Sequence, residues 1–394
     1  MEEIKYSNKV FAFLDILGFE RIVNQSKSNP GLISRIANML ARSKRIAESI
    51  LNAKLTVLQV NSKEYMYRAF SDTSVISGPY TSHDDMSFLS MWVMFYQYLM
   101  WNVERTFVRG AIVYGDIYHD QDVVFGPALI DAYHLETSKA SWPRVLVNKS
   151  LLNKITETER ARDFYEFLRQ DDDSLVYLDY LREIFHLRLF AQSKKITGER
   201  ERDLGSPTEL FKDHKEAILM QVRNALKEEN KDEGKKILKK YGELSKYHNS
   251  TIHKLCQIIK GLMTNTSIVR ELFDDQLEAA KAKKSGSDYK PKYSAEEHPE
   301  QADMLNILGA VINNIITRQL ENGSTALFGS TIWKQFELIN GICLVPIQSL
   351  EILNNRIQED AINSICQETP QELQIVDVAL QASIVEIGKL SPNV

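Results

Sequence analysis

Cysteine is scarce in this 394-residue chain: three occur, Cys256, Cys343 and Cys366, with no CxxC pair among them. That excludes a disulfide framework and a cysteine-rich zinc site, and it fits a reducing compartment. An excess of positive charge is missing too. With 48 Lys and Arg against 53 Asp and Glu, the net charge of −5 argues against general nucleic-acid binding. The opening residues Met1-Glu2-Glu3-Ile4-Lys5 lack the basic-then-apolar layout of a secretory signal. No run is apolar enough for a membrane span, which needs about 20 predominantly apolar residues. The nearest stretch, the 18 residues from Met86 to Val103, carries no formal charge but is interrupted by Gln97, Asn102, two Ser and two Tyr. It reads as a buried core helix. The expectation is a cytoplasmic protein with no membrane span and no nucleic-acid partner.

What the chain does have is length enough for one large core and a second, smaller unit. Two short runs organise it: Val10 to Phe19 (VFAFLDILGF) and Tyr67 to Ser77 (YRAFSDTSVIS). Each is an apolar, β-branched and aromatic segment of strand length, with one carboxylate where the strand should give way to a turn. A lone Asp among apolar residues is costly to bury unless it is paired or bound to a cation. Asp15 and Asp72 therefore suggest a shared metal site, the competing reading being that each caps the turn or helix that follows.

Taken in order, Val10 to Asp15 is a strand buried on both faces, and Gly18 permits a tight exit. A helix follows Pro30 to about Lys54. Leu55 to Ser77 reads as strand, turn and strand, with Ser71-Asp72 at the hairpin tip. Asp84-Asp85 can cap the helix from Met86 to about Arg105. Phe107 to Tyr114 is a strand, His119 to Asp122 a solvated loop, and Gly126-Pro127 the start of a helix to about Ser138. Arg144 to Val147 is another strand. Asp171-Asp172-Asp173 is a solvated turn before a strand from Leu175 to Tyr180. Thr208 to about Tyr247 is helical, interrupted near Gly234. His248 and His253, five residues apart, do not share a helical face and are not read as a ligand pair. The order predicts an α+β fold: a mainly antiparallel sheet with helices packed on one face and the other face open to a site. Residues 281–300 look like a flexible loop or linker, and residues 301–394 like a helical C-terminal unit.

The segment Phe13-Leu14-Asp15-Ile16-Leu17-Gly18-Phe19 resembles the first metal-binding motif of the class III nucleotide cyclase homology domain. Phe70-Ser71-Asp72 resembles that family's second motif, and Val108 to Gly115 its next strand. Phe125 to Leu129, Ala132, Leu135, Ala140 and the Arg144 to Val147 strand continue the match in order. The resemblance covers roughly residues 8–150, and the strand from Leu175 to Tyr180 can extend it. It implies a cyclase-type (ferredoxin-like) catalytic unit, assigned to 1–200, and the helical pattern beyond it is assigned to an extension over 201–280 that packs on that unit. The resemblance also implies a homodimer acting on a nucleoside triphosphate with two Mg²⁺ or Mn²⁺ ions per site, held by Asp15, Ile16 and Asp72. Gly18 and Phe19 would then meet phosphate oxygens, and Arg68 and His134 would face the substrate.

Three positions depart from the family pattern. Arg68 stands where purine cyclases carry Lys, and Ile130 and His134 stand where they carry Asn and Arg. Ile130 cannot hydrogen-bond a ribose, and His134 is only partly charged at pH 7. Loss of such a charge-stabilising group costs on the order of 100- to 1000-fold in rate. Either another arginine takes over, Arg109 or Arg144 being the nearest and Arg144 the preferred catalytic candidate, or the unit binds nucleotide without turning it over. Arg68 and the Ala132-Tyr133-His134-Leu135-Glu136 helix resemble bacterial pyrimidine cyclases of Pycsar antiphage systems, which implies UTP or CTP as substrate. The C-terminal helices are candidates for docking a protein partner.

Overall fold

The computed structural model describes residues 4–52, 64–156, 167–196, 207–228 and 230–264, with the single positions 275, 278, 282, 289 and 292. The expectations for 301–394, for most of 281–300 and for the strand start at Leu55 fall outside the described residues.

The first run forms β1 (Ser7–Ile16), which sits between β3 (Thr73–Gly78) and β4 (Val108–His119), antiparallel to both. β2 (Met66–Phe70) pairs with β3 across the turn Ser71-Asp72, where Ser71 adopts φ 55°. A short β5 (Val124–Phe125) folds back on the end of β4. β6 (Val145–Val147) runs parallel to β4, while β8 (Val176–Leu178) and β7 (Leu168–Gln170) extend the sheet antiparallel, giving the order β2-β3-β1-β4-β6-β8-β7. The helices are α1 (Phe19–Ser26), α2 (Gly31–Asn52), α3 (His83–Glu104), α4 (Pro127–Lys139), α5 (Lys149–Thr156), α6 (Tyr180–Ile196), α7 (Pro207–Leu226) and α8 (Lys231–Thr264). The architecture is α+β with a mainly antiparallel sheet.

The expectation of helices on one face alone does not hold. Because side chains alternate across a strand, a continuous apolar strand such as β1 needs cover on both sides. Val10, Ala12, Leu14 and Ile16 join the larger core with α3, whereas Phe11 and Phe13 pack with Val75, Ala111 and Val113 beneath Ala128 and Ala132 of α4. The second face is therefore partly roofed by α4. The uncharged run is α3, buried along most of its length through Phe88, Trp92, Tyr96 and Trp101. A helix apolar nearly all round is a core helix, and among the described residues no helix is long and apolar enough to cross a membrane.

Three local readings are corrected. The N-cap of α3 is Ser82, and Asp85 completes a capping box with it rather than capping directly. His119 is no loop residue; it ends β4, is buried, and its Nδ1 lies 2.8 Å from Ser77 Oγ. The break between α7 and α8 lies before Gly234, at Asn230, whose side chain accepts from the amides of Asp232 and Glu233 at 3.1 and 3.3 Å. His248 is fully buried and stacks on His214 with ring centroids 5.0 Å apart.

Gly110 sits opposite Leu14 in β4, and a Cβ there would lie 2.3 Å from the Phe13 carbonyl oxygen. Overpacking of this kind costs about 1–3 kcal/mol. Gly110→Ala should lower the urea midpoint by a corresponding amount, with the m-value unchanged.

Candidate active site

The end of β1 and the start of β3 are locked together by backbone register. Asp15 faces Thr73 across the strands, and the Ile16 amide donates to the Asp72 carbonyl at 3.1 Å. Two carboxylates 57 positions apart in the chain thus line the wall of one cleft of about 1090 Å³. Gly18, at φ 77°, turns the chain from β1 into α1, and no side chain caps that helix start. Ile16, Leu17, Gly18 and Phe19 line the same cleft. Ile16 has only its backbone carbonyl to offer a cation.

On the other side of Asp15 lies Arg109 of β4, its register partner. Arg109 Nε donates to Asp15 Oδ2 at 3.1 Å and also forms an ion pair with Glu136 of α4, whose side chain is 1% exposed. One guanidinium thus serves two carboxylates. Burial pushes the Asp15 carboxyl up, Arg109 pulls it back down, and the neighbouring charge of Asp72 adds to the rise. Burial raises Glu136 to about 7, again against the pull of Arg109, with the charge of Asp15 adding to it. Lys240 of α8 lines the cleft as well and favours the ionised form of both carboxylates.

Among the described residues no group of three or more His, Cys, Asp or Glu is arranged to hold a metal ion. The donors at this wall suit a magnesium-type cation rather than a dedicated cage. Two carboxylates and a backbone carbonyl supply hard oxygens, and such ions complete their shell with water and substrate phosphates. Burial, with the charge of Asp72 added to it, raises Asp15, and a bound cation would offset both.

Asp15, Ile16, Gly18, Phe19 and Asp72 therefore share one cleft, but three other candidates do not line it. Arg144 is 1% exposed, with Nη1 at 2.8 Å from Asp171 and Nη2 at 2.5 Å from Asp173. Its guanidinium also lies 5.1 Å from the Trp142 ring centre. It fastens β6 to the Asp171–Asp173 turn. Arg68 donates to the Gln121 carbonyl at 3.3 Å and stacks over Phe70. His134 is exposed on α4 beside Tyr133, and Ile130 is exposed on the same helix. The sequence reading missed Glu136 and Lys240. Glu136 carried a signal: it follows Ala128 and Ala132 at four-residue steps along the buried stripe of α4, where a carboxylate needs a cation.

Two outcomes follow. With Glu136 raised, the folded chain holds a proton that the unfolded chain has lost between the ordinary value of 4.5 and about 7. Stability should fall as pH rises through that window and level off above it; Glu136→Gln should flatten this slope in metal-free denaturation series, Asp15 adding a smaller slope of the same sign. Arg144→Met should cost about 2 kcal/mol, less than for a fully buried pair because Asp171 and Asp173 reach solvent. Its melting temperature should drop while ligand binding in the cleft stays unchanged.

No family model matches the chain, and no curated protein matches it. Among solved structures it is similar to the adenylyl cyclase CyaB from P. aeruginosa, at 13% identity over 44% of this chain and 95% of that chain, with a TM-score of 0.31. A likeness that loose assigns neither a fold family nor an activity.

Proposed function

We propose that this chain is a nucleotide cyclase, converting a ribonucleoside triphosphate to a 3′,5′-cyclic nucleotide and pyrophosphate. The observation that carries the reading is the arrival of Asp15 and Asp72 at one cleft wall beside the uncapped start of α1, on two segments that resemble the metal-binding motifs of class III cyclases. In the reaction the ribose 3′-oxygen bonds to the α-phosphorus and the bond to the β-phosphate oxygen breaks. Divalent ions, when bound, would make the attacking hydroxyl more acidic and neutralise the triphosphate. Asp15, Asp72 and the Ile16 carbonyl are the groups to hold them. The helix start after Gly18 favours phosphate oxygens through its free amides and its dipole. Arg109 fixes the rotamer of Asp15 and offsets its charge.

The sequence resemblance extends the proposal to UTP or CTP, to an antiphage signalling role and to a homodimer. The exposed side chains of Ile130 and Tyr133 on α4 are available to a second copy.

A second reading, a nucleotide sensor without turnover, is favoured by one observation: Arg144 is consumed by Asp171 and Asp173, and no Arg or Asn stands at the α4 positions of Ile130 and His134.

The test is incubation of the purified chain with each of the four ribonucleoside triphosphates and Mn²⁺, following pyrophosphate and cyclic product. The expected result is product from at least one nucleotide, reduced more than about 100-fold in Asp15→Asn and Asp72→Ala. Metal-dependent nucleotide binding without product would establish the sensor. If neither occurs and Asp72→Ala only lowers the melting temperature, the two carboxylates are turn caps.

A further inference from the structure

Lys240 does not belong to the strand-and-helix unit that carries the carboxylates. It comes from α8, after the last strand of the sheet, yet it lines the same cleft as Asp15, Asp72 and Arg109. Its place is fixed by its neighbours. Leu238, Tyr241 and Leu244 are buried, and the Tyr241 ring meets Phe107 edge-on with centroids 5.7 Å apart. The Phe107 carbonyl in turn accepts the Leu17 amide at 2.9 Å, within the turn that follows Asp15. A short chain of contacts thus ties the backbone of Lys240 to the carboxylate wall.

Of the other cations lining the cleft, Arg35 and Lys227 are exposed to solvent, and three are engaged. Arg21 lies 3.9 Å from Glu228, Arg105 donates to the Asp213 carbonyl at 3.3 Å, and Arg109 holds Asp15. The ammonium of half-buried Lys240 forms no hydrogen bond or ion pair with another described residue. A partly desolvated ammonium with unspent donors costs free energy unless an anion meets it. Burial and the charge of Arg109 press its pKa down, and Glu233, Asp15 and Glu136 hold it up. None of these carboxylates forms an ion pair with it, and Lys240 lines the open cleft that an anionic ligand would enter.

We propose that Lys240 is a phosphate-binding residue, contributed by α8, that grips the polyphosphate of a nucleoside triphosphate in the cleft. A compact ammonium suits phosphate as a point charge. This rests on the nucleotide reading of the same cleft and adds to it that the helices beyond the sheet complete the site.

The experiment titrates the full chain calorimetrically with inorganic pyrophosphate in the presence of Mg²⁺, and compares Lys240→Ala, Lys240→Arg and the exposed control Lys239→Ala. Lys240→Ala should weaken binding about tenfold or more, Lys240→Arg should recover most of the loss, and Lys239→Ala should behave as wild type, with matching melting temperatures. If the chain also cyclises a nucleotide, Lys240→Ala should raise KM more than it lowers kcat. Pyrophosphate binding that depends on Lys240 in a chain with no cyclase activity supports the proposal and removes the cyclase. Cyclase activity with KM and pyrophosphate affinity unchanged in Lys240→Ala overturns the proposal and leaves the cyclase intact. A wild-type chain that binds no pyrophosphate also overturns it.

Discussion

The bond from the Ile16 amide to the Asp72 carbonyl closes the β1–β3 ladder at its open end, and what lies around it inherits its geometry from that closure. Antiparallel register leaves no freedom of one residue, because a single-step slip would turn every side chain of β1 to the opposite face. Phe11 and Phe13 would then lose their seat under α4, and Leu14 its seat beneath α3. Core packing therefore sets where Asp15 stands. The hairpin tip sets where Asp72 stands, with Ser71 accepting a left-handed conformation to make the turn.

The same packing concentrates charge. Asp15 and Asp72 at the cleft wall, and Glu136 behind Asp15, gather around Arg109 and Lys240, and burial makes Asp15 and Glu136 hold their protons more tightly than in water. Such a place is unfavourable to an unliganded chain and favourable to any ligand that brings positive charge to the carboxylates. The cluster of buried Arg144 with Asp171 and Asp173 shows the contrast: there both terminal guanidinium nitrogens are satisfied within the fold.

Much of this was legible because strand signals and turn signals are local. The alternation and length of the runs at Val10 and Tyr67, the glycine after Asp15 and the Ser-Asp tip each act within a few residues. The convergence of Asp15 and Asp72 follows from pairing two such strands. What the sequence could not disclose was partnership at a distance. Arg144 was a catalytic candidate as one of the nearest arginines that could replace the one missing from α4, and nothing local says that the turn at Asp171–Asp173 reaches back to it. Lys240 sits among other lysines of an amphipathic helix, and only the docking of α8 on Phe107 separates it from them. The apolar character of β1 on both faces required a second layer, yet the second face was expected to be open, and α4 covers part of it.

That roof has a topological origin. β4 and β6 are parallel neighbours, and two strands running the same way cannot be joined by a tight hairpin; the chain must climb over one side of the sheet and return. α4 is that overpass. Glu136 rides on it and is set down beside Arg109 by the route the backbone has to take. The acid beneath the cleft is thus a passenger of the connectivity, and a rearrangement that reversed β6 would remove it without touching either aspartate.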